Sequence, residues 1–443
     1  MGSAPPAARV FFPLDEELQL APGSLAPGLH EAVVRLGTWI PFPRLPSEVH
    51  FLTGTDVSEP TARRATEKAG EAYVAVQSAE VIVIEQDRRE ESPPGPPRQQ
   101  ISVDGAMVPL RGKGEWAEVK TLAIGTIQPP VRTDDGGLAI HTTELSYFSR
   151  LADHETFARL ATVETYRRGT LNAGSVGAVV DGADWEQKFV DLHRPDAVRI
   201  LDWGHAAEHI AAVGQALFGV GTEATKQWVA AQLHELKHGD PRAVLQAVRS
   251  TVREPGGPGE DAPTARQTVV GDVLAYLEKR QDQIRYAEFQ AQGYPIGSGI
   301  VESANKLVVE ARLKGAGMHW ARAHVNPMVA LRTVACSDRW DEAWPAVTQR
   351  LRAAARERTA DRRTRRVAER AAIALSELST PPLAPQRPMP RPPDPIPDAR
   401  PAATPPETAV RTPHRPADNH PWRLQRLGRA QLQPTRPLAS AKN

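Results

Sequence analysis

The sequence predicts an α/β fold in which a mixed sheet carries helices on both faces. The segments 101–110 and 116–127 alternate apolar, β-branched residues with polar ones and are joined by a short Gly-containing loop, as in a β-hairpin. The short apolar runs 176–180 and 197–201 are separated by a helical stretch, which is typical of buried parallel strands. Helical periodicity over nearly the whole of 206–290 predicts an all-helical insertion after the last strand.

The composition excludes several classes of protein. With one cysteine, Cys336, among 443 residues, the chain has no internal disulfide and no Cys-rich zinc module. Its apolar runs fall short of the ~18 residues that span a bilayer. The N-terminus lacks the basic flank and apolar core of a signal peptide. We therefore expect a soluble protein of a reducing compartment, the cytoplasm, with no membrane partner.

The charges are distributed unevenly, although the formal net charge is only +1. The segment 381–443 holds ten basic residues, four acidic residues and seventeen of the 41 prolines, which predicts a disordered basic tail. The Ala- and Arg-rich stretch 346–380 predicts a solvated basic helix, and nine arginines lie between residues 350 and 370. A basic end on an acidic body suggests a polyanionic partner.

The N-terminal region, 1–95, is predicted to be helical and to contain a helix-turn-helix. Segments 46–53 and 58–70 are two short helices around a turn that begins at Gly54, and a further helix is predicted over 71–86. The second helix carries three basic side chains that would face a DNA major groove: Arg63, Arg64 and Lys68. Two ordinary packing helices would show the same pattern.

The remaining elements complete the order of the sheet. A third strand is predicted near 138–145 and a helix over 147–168. The order is then three antiparallel strands followed by helix, strand, helix, strand and helix, which is the ribonuclease-H-like order. The core would comprise 101–205 and 291–345, on either side of the insertion.

Four carboxylates are candidates for a site. Asp181 and Asp202 each end a buried strand, at the edge where open α/β sheets bind ligands. Asp104 lies within an apolar strand, where an acidic group is costly unless it is paired or binds a cation. Glu302 lies in the first turn of a helix that Ser298 is predicted to cap. Taken singly, each of the four is explained by a structural role in a helix cap, a first helical turn or a loop turn. Together, three of them would hold Mg²⁺ or Mn²⁺, and two such ions ~3.5–4 Å apart would support phosphoryl transfer.

Four sequence blocks resemble those of a known family. The blocks are ISVDG at 101–105, VVDGADW at 179–185, LDWGH at 201–205 and GSGIVES at 297–303. In this order they resemble bacterial insertion-sequence DDE transposases of the Kra type, which are related to the Mutator-like group. The resemblance runs from about residue 11 to residue 344 and excludes the tail.

The resemblance implies a catalytic triad, an accessory pair and a DNA-contacting run. By matching position these are Asp104, Asp181 and Glu302 for the triad, Asp202 and His205 for the accessory pair, and Arg312, Lys314 and Trp320 for the run. The triad would bind two Mg²⁺ (or Mn²⁺) ions. Helix capping and core packing are the alternative for the run, above all for Trp320. The family implies double-stranded DNA, at element ends and at the target, as the partner. It also implies at least a dimer on DNA and a nucleoid-associated location in a bacterium.

The sequence departs from the family in two places. Such proteins usually carry paired cysteines upstream of the block that begins here at Phe11, and none is present. We therefore expect that an N-terminal segment is missing, which would affect recognition of the element ends. The Pro-rich tail is not explained by the resemblance.

Other functions remain open at this point. His205, Glu208 and His209 fit the H-x-x-E-H pattern of an inverted zinc-peptidase motif, although no third ligand is evident from the sequence. A transposase-derived DNA-binding protein without catalysis is a second alternative, and a stand-alone nuclease on the same fold is a third. Zinc content would decide the peptidase alternative, and strand joining would separate a transposase from a nuclease.

Overall fold

The computed structural model describes residues 25–86, 92–132, 138–252 and 265–379. The chain divides into two compact units, 1–373 and 374–443, and the contacts discussed below lie within the first. The predicted tail, 381–443, and a Gly/Pro-rich break predicted at 255–263 lie outside the described residues. No helix in these ranges is long and apolar enough to cross a membrane.

Five strands form one mixed sheet. They are β1 (Arg98–Pro109), β2 (Trp116–Ile127), β3 (Thr142–Arg150), β4 (Ser175–Val180) and β5 (Val198–Leu201). Their spatial order is β3-β2-β1-β4-β5. Strand β2 is antiparallel to β1 and β3, whereas β4 is parallel to β1 and β5. The predicted hairpin and both predicted parallel strands are confirmed.

Helices make up most of the remaining described chain. They are α1 (Pro27–Trp39), α2 (Leu45–Thr53), α3 (Glu59–Gln86), α4 (His154–Arg167), α5 (Asp184–His193), α6 (Trp203–Phe218), α7 (Glu223–His238), α8 (Pro241–Val252), α9 (Ala265–Lys279), α10 (Tyr286–Ala291), α11 (Gly299–Ala304), α12 (Ala311–Leu313), α13 (Arg322–Cys336) and α14 (Trp340–Ser379). The segment Asn305–Glu310, between α11 and α12, is π-helical. Helices α6 to α10 account for the predicted helical insertion, and α14 for the predicted basic helix.

The third strand differs from its predicted position. The prediction placed a strand near 138–145 and a helix over 147–168. Instead, Val131–Arg132 and Leu138–Ala139 form a two-residue ladder, β3 runs to Arg150, and α4 begins at His154. Residues 147–150 are buried and pair with β2, so pairing with the sheet overrides their helical periodicity.

The helices cover both faces of the sheet. On one face, Leu122 and Phe148 pack with residues of α4 and α5. On the opposite face, Val119 of β2 packs with Val301 of α11, and Ile200 of β5 packs with helices α6 and α9 of the insertion. The helix that carries Glu302 and the insertion therefore cover the same face of the sheet.

The N-terminal helices pack against the second part of the core. Helix α2 ends at Gly54, whose φ of +66° is left-handed, as expected for a helix end. The two helices predicted over 58–70 and 71–86 are instead one 28-residue helix, α3, so that prediction was wrong. Gly70 lies inside this helix, where a Cβ would overlap the Pro327 carbonyl of α13. The glycine allows the two helices to approach closely and does not end α3.

This close approach makes Gly70 sensitive to substitution. Gly70→Ala should lower the free energy of unfolding by about 1–3 kcal/mol, because the added methyl group meets backbone atoms that have no room to move. Gly271 of α9 is the control, since a Cβ there meets no atom within 4 Å, and Gly271→Ala should stabilise the helix by up to about 1 kcal/mol. Urea unfolding followed by circular dichroism measures both, and equal effects would contradict the close crossing.

Candidate active site

Three aspartates lie at neighbouring strands: Asp104 within β1, and Asp181 and Asp202 directly after β4 and β5. The register pairs Ile101 of β1 with Ala178 of β4, and Val180 of β4 with Leu201 of β5. Continuing each register along the chain brings Asp104, Asp181 and Asp202 to one level. Residues paired in register point to the same face, so all three side chains belong to the face covered by α11 and the insertion. The sheet thus gathers three of the four predicted carboxylates.

Asp104 is held by its own strand and by the segment that follows α11. Its Oδ1 accepts a hydrogen bond from the Gly105 N–H (2.6 Å), and its Oδ2 accepts one from the Asn305 amide (2.8 Å). Burial raises the pKa of Asp104, and the nearby carboxylates of Glu118 and Glu302 act in the same direction. The two hydrogen bonds oppose this shift because they favour the charged form.

Asp181 lies in a strongly acidic environment. Burial raises its pKa to about 6, and the carboxylates of Asp104, Asp202 and Glu302 add to the shift, whereas His205 opposes it. Like charges held together in a partly buried place favour a proton or a cation. The same carboxylates therefore form a site whose charge would be relieved by a positive ligand.

Glu302 and Asn305 lie on one helical segment, from which Asn305 contacts Asp104 and Glu302 contributes a nearby charge. Glu302 is exposed in the first turn of α11, and Asn305, one turn later, is buried where the chain becomes π-helical. Since a carboxylate only accepts hydrogen bonds, the Asn305 Nδ2 faces Asp104 and its Oδ1 points elsewhere. That buried Oδ1 has no hydrogen-bond partner among the described residues. π-Helical turns often occur at functional sites, and this one follows directly after Glu302.

Asp202, a predicted accessory residue, is buried and bound to backbone donors on both oxygens. Its Oδ2 accepts from the His205 N–H (2.8 Å) and thereby caps α6, while its Oδ1 accepts from the Ser298 N–H (2.6 Å). Ser298 was predicted to cap α11 with its side chain, but that side chain makes no capping hydrogen bond. Instead, the Ser298 backbone is held by Asp202, which fixes the start of the Glu302 helix.

His205 and His209 face each other on α6. Their Nε2 atoms are 3.3 Å apart, and the His209 ring stacks on Tyr276 of α9 with ring centres 4.2 Å apart. Burial lowers the pKa of His209, and His205 and Arg280 lower it further. Across the residues that the structure describes, no group of three or more His, Cys, Asp or Glu side chains is arranged to hold a metal ion. A third protein ligand for a zinc-peptidase site is therefore not found there.

The loop after Asp181 is held by the insertion. Tyr276 donates its hydroxyl hydrogen to the Asp181 carbonyl, and burial raises the pKa of Tyr276 to about 12, so it keeps that hydrogen. Arg280, which is buried, donates from Nε (3.0 Å) and Nη2 to the Gly182 carbonyl, and its guanidinium lies 3.8 Å from the Tyr276 ring centre. Gly182 has a φ of +83°, and a Cβ there would overlap Arg280. Nothing in the local sequence pattern indicated Tyr276 of α9 or Arg280, the residue that follows α9.

Glu186 is a further acidic group near the site that the sequence did not indicate. It is almost fully buried in the first turn of α5, and its Oε2 accepts from the Ala183 N–H (2.9 Å). Burial raises its pKa to about 8, with contributions from Asp181 and Asp104. The signal available in the sequence was a Glu at the third position of a helix, which is common for capping alone.

The residues predicted to contact DNA fall into two groups. Arg64 and Lys68 are exposed, one turn apart on α3. Arg63 is paired with Glu59, and Lys314 is exposed and paired with Glu310 (2.6 Å).

Arg312 and Trp320 are buried and have packing roles in this structure. The Arg312 guanidinium lies 4.7 Å from the Phe42 ring centre and 5.1 Å from that of Trp320. Arg312 donates to the Gly37 carbonyl and Trp320 to the Leu313 carbonyl. Burial, with Arg332 and Arg63 nearby, lowers the pKa of Arg312 to about 10. Their burial favours the core-packing alternative that the sequence left open for this run.

Comparison of the sequence with protein-family models and with curated proteins finds no match.

If Tyr276 and Arg280 hold the loop after Asp181, removing their hydrogen bonds should loosen that loop selectively. We expect Arg280→Met and Tyr276→Phe to accelerate amide hydrogen exchange at residues 182–185, since backbone carbonyls lose buried donors, at a cost of about 1–3 kcal/mol each. Lys279→Met is the control, because Lys279 is exposed and pairs with the exposed Asp184. Exchange measured by mass spectrometry should be unchanged in that variant. Equal exchange rates at residues 182–185 in all three variants would show that Tyr276 and Arg280 do not hold this loop.

The buried Glu186 predicts a specific dependence of stability on pH. Its folded-state pKa lies above the ordinary value of 4.5, so its ionisation is disfavoured in the folded state and stability is lost as pH rises from about 4.5 to about 8. Glu186→Gln cannot ionise and keeps an acceptor for the Ala183 N–H. The variant should match the wild type near pH 4 and exceed it near pH 8.5 by on the order of a few kcal/mol. Unfolding curves at both pH values test this, and a constant difference would contradict it.

Proposed function

We propose that this chain is a DNA transposase that cleaves phosphodiester bonds and transfers strands at the ends of an insertion sequence. The observation that carries the proposal is the register of the sheet, which aligns Asp104 and Asp181 on one face beneath the helix of Glu302. These are the three positions at which the sequence blocks resemble the catalytic residues of DDE transposases of the Kra type. The spatial order β3-β2-β1-β4-β5, with three antiparallel strands followed by two parallel ones, supports a ribonuclease-H-like core.

The donor set fits hard divalent cations. Asp104, Asp181 and Glu302 would hold two Mg²⁺ or Mn²⁺ ions, which prefer carboxylate oxygens. Burial is the main cause of the raised pKa values of Asp104 and Asp181, and a bound cation would also relieve the repulsion that nearby carboxylates add. When bound, such ions would activate the attacking oxygen and stabilise the leaving one. Asn305 fixes the orientation of Asp104, and the Tyr276–Arg280 pair fixes the loop behind Asp181.

The proposed chemistry has two steps of the same kind. Water attacks a phosphorus at the element end, the bond to the 3′ oxygen breaks, and that oxygen leaves as a 3′-hydroxyl. This hydroxyl then attacks a phosphorus of the target strand, and the target's own 3′ oxygen leaves. Each step forms one P–O bond and breaks another, so no oxidant or reductant is needed. Pairing of two element ends would require at least a dimer on DNA.

A transposase-derived DNA-binding protein without catalysis is the second candidate. Both carboxylate oxygens of Asp104 already accept hydrogen bonds, and the described residues contain no preassembled group of three ligands. A non-catalytic protein would be consistent with that arrangement, whereas a catalytic one requires a metal ion to bind Asp104 beside these hydrogen bonds or in place of one of them, since each carboxylate oxygen has two lone pairs.

Metal binding and DNA joining together test the proposal. Wild-type protein should bind Mn²⁺ by calorimetry in the presence of a DNA duplex and should join element-end DNA to a target. Asp104→Asn, Asp181→Asn and Glu302→Gln should each lower joining by about 10³-fold or more, because a metal ion supplies several kcal/mol of transition-state stabilisation. Asp184→Asn is the control, since this neighbouring carboxylate is exposed and paired with Lys279.

Each outcome separates the candidates. Loss of Mn²⁺ binding in Asp181→Asn, but not in Asp184→Asn, would support the site. Cleavage without joining would identify a nuclease. If the wild type did not bind Mn²⁺, the proposal of a metal-dependent transposase would be wrong, and the non-catalytic DNA-binding protein would be the remaining candidate.

A further inference from the structure

The second half of α14 is a helix without a packing partner. Its first half is anchored by Trp340, Ala343 and Val347 in a buried cluster with α1, α3 and α13. From Arg356 to Ile373, by contrast, every side chain is exposed. Burial adds little to the stability of an exposed polar helix, so packing within the chain does not explain its residues. They suit contact with solvent or with a partner.

The arginines of this segment are concentrated on one face. At about 100° per residue, six of them fall within an arc of about 120°. These six are Arg352, Arg356, Arg362, Arg363, Arg366 and Arg370, and we call this surface the arginine face. Glu357 and Asp361 point to the opposite side of the helix, and Glu369 lies just outside the arc, where it pairs with Arg365 (3.6 Å).

Within the described chain, five of the six arginines of the face have no counter-charge. Arg350 and Arg365, which lie off the face, are paired with Glu357 and Glu369. Arg356, Arg362, Arg363, Arg366 and Arg370 make no ion pair or hydrogen bond with the rest of the described chain. Glu357 and Glu369 thus pair with arginines off the face, and five of the six face arginines keep an unpaired positive charge within the described chain.

The length and chemistry of the face match a phosphate backbone. From Arg352 to Arg370 it extends about 27 Å at 1.5 Å per residue, a length that would span several phosphates. All basic residues between 350 and 370 are arginine, whose planar fork binds phosphate oxygens in pairs. We infer that the arginine face binds the phosphate backbone of duplex DNA without regard to sequence.

Other polyanions fit less well. A helix that lies on a membrane needs a broad apolar face, and between residues 352 and 370 the only large apolar side chain is Val367. An acidic protein partner would be expected to meet aromatic or aliphatic anchors, which the segment also lacks. Binding of the DNA phosphate backbone by this helix does not depend on the metal ions proposed for Asp104, Asp181 and Glu302. It can therefore be tested with EDTA present, which removes such ions.

Two triple variants with equal change of charge test the inference. Arg356, Arg363 and Arg370 lie in line on the face, and their replacement by Gln keeps good helix formers in place. The control triple replaces Arg350, Arg358 and Arg365, which lie off the face. Binding of the full chain to a mixed-sequence duplex of about 20 bp, in EDTA, is measured by fluorescence anisotropy over a range of salt concentrations. Circular dichroism confirms equal helix content.

The on-face triple should weaken binding about tenfold or more and reduce the slope of log Kobs against log salt by about 2 to 3, since each lost phosphate contact contributes about 0.9. The off-face triple should change the slope by less than about 1. Equal losses in the two triples would show that only net charge matters, and no loss in either would show that the helix does not bind; both results overturn the inference. The inference would also be overturned if the on-face triple lost binding to anionic phospholipid vesicles but kept its binding to the duplex.

Discussion

The carboxylate of Asp202 connects the three segments from which the candidate site is built. It ends β5, caps α6 with one oxygen, and holds the Ser298 N–H with the other. Both bonds are charge-assisted and buried, and such bonds are among the stronger hydrogen bonds in proteins. A single side chain therefore links the sheet edge, the first helix of the insertion and the start of the Glu302 helix. This gives Asp202 a structural role within the accessory pair that the sequence blocks imply.

The other carboxylates of the site are left in a less favourable state. Asp181 has a pKa raised to about 6 and Glu186 one raised to about 8, and burial is the main cause for both. The insertion contributes the cation Arg280, but its hydrogen bonds go to backbone carbonyls of Gly182 and Tyr276. The positive charge that would balance this face thus has to come from protons or from a bound ion.

Local patterns in the sequence predicted the strands and the aspartates, because strand pairing follows from apolar runs and each Asp is tied to one of them. The residues that complete the site act over long distances. Asn305 meets Asp104 across 201 positions, and Tyr276 meets Asp181 across 95. The role of Gly70 also depends on a contact with a residue far away in the sequence. The predicted boundary between two helices lay at this residue, whereas Gly70 lies inside α3 and leaves room for the Pro327 carbonyl of α13. Periodicity also failed at residues 147–150, where pairing with β2 decides the conformation.

Gly182 is constrained twice, and the two constraints have different consequences for sequence variation. Its φ of +83° disfavours any L side chain, and the space beside its Cα is filled by Arg280, 98 positions away. A homologue that lost Arg280 would gain that space but would still need a residue tolerant of the left-handed backbone, so Asn or Asp would be the first substitutions admitted at this position. A homologue that kept Arg280 would admit glycine alone. Variation at the two positions should therefore be linked in one direction only: Arg280 can change without Gly182, but Gly182 cannot change before Arg280.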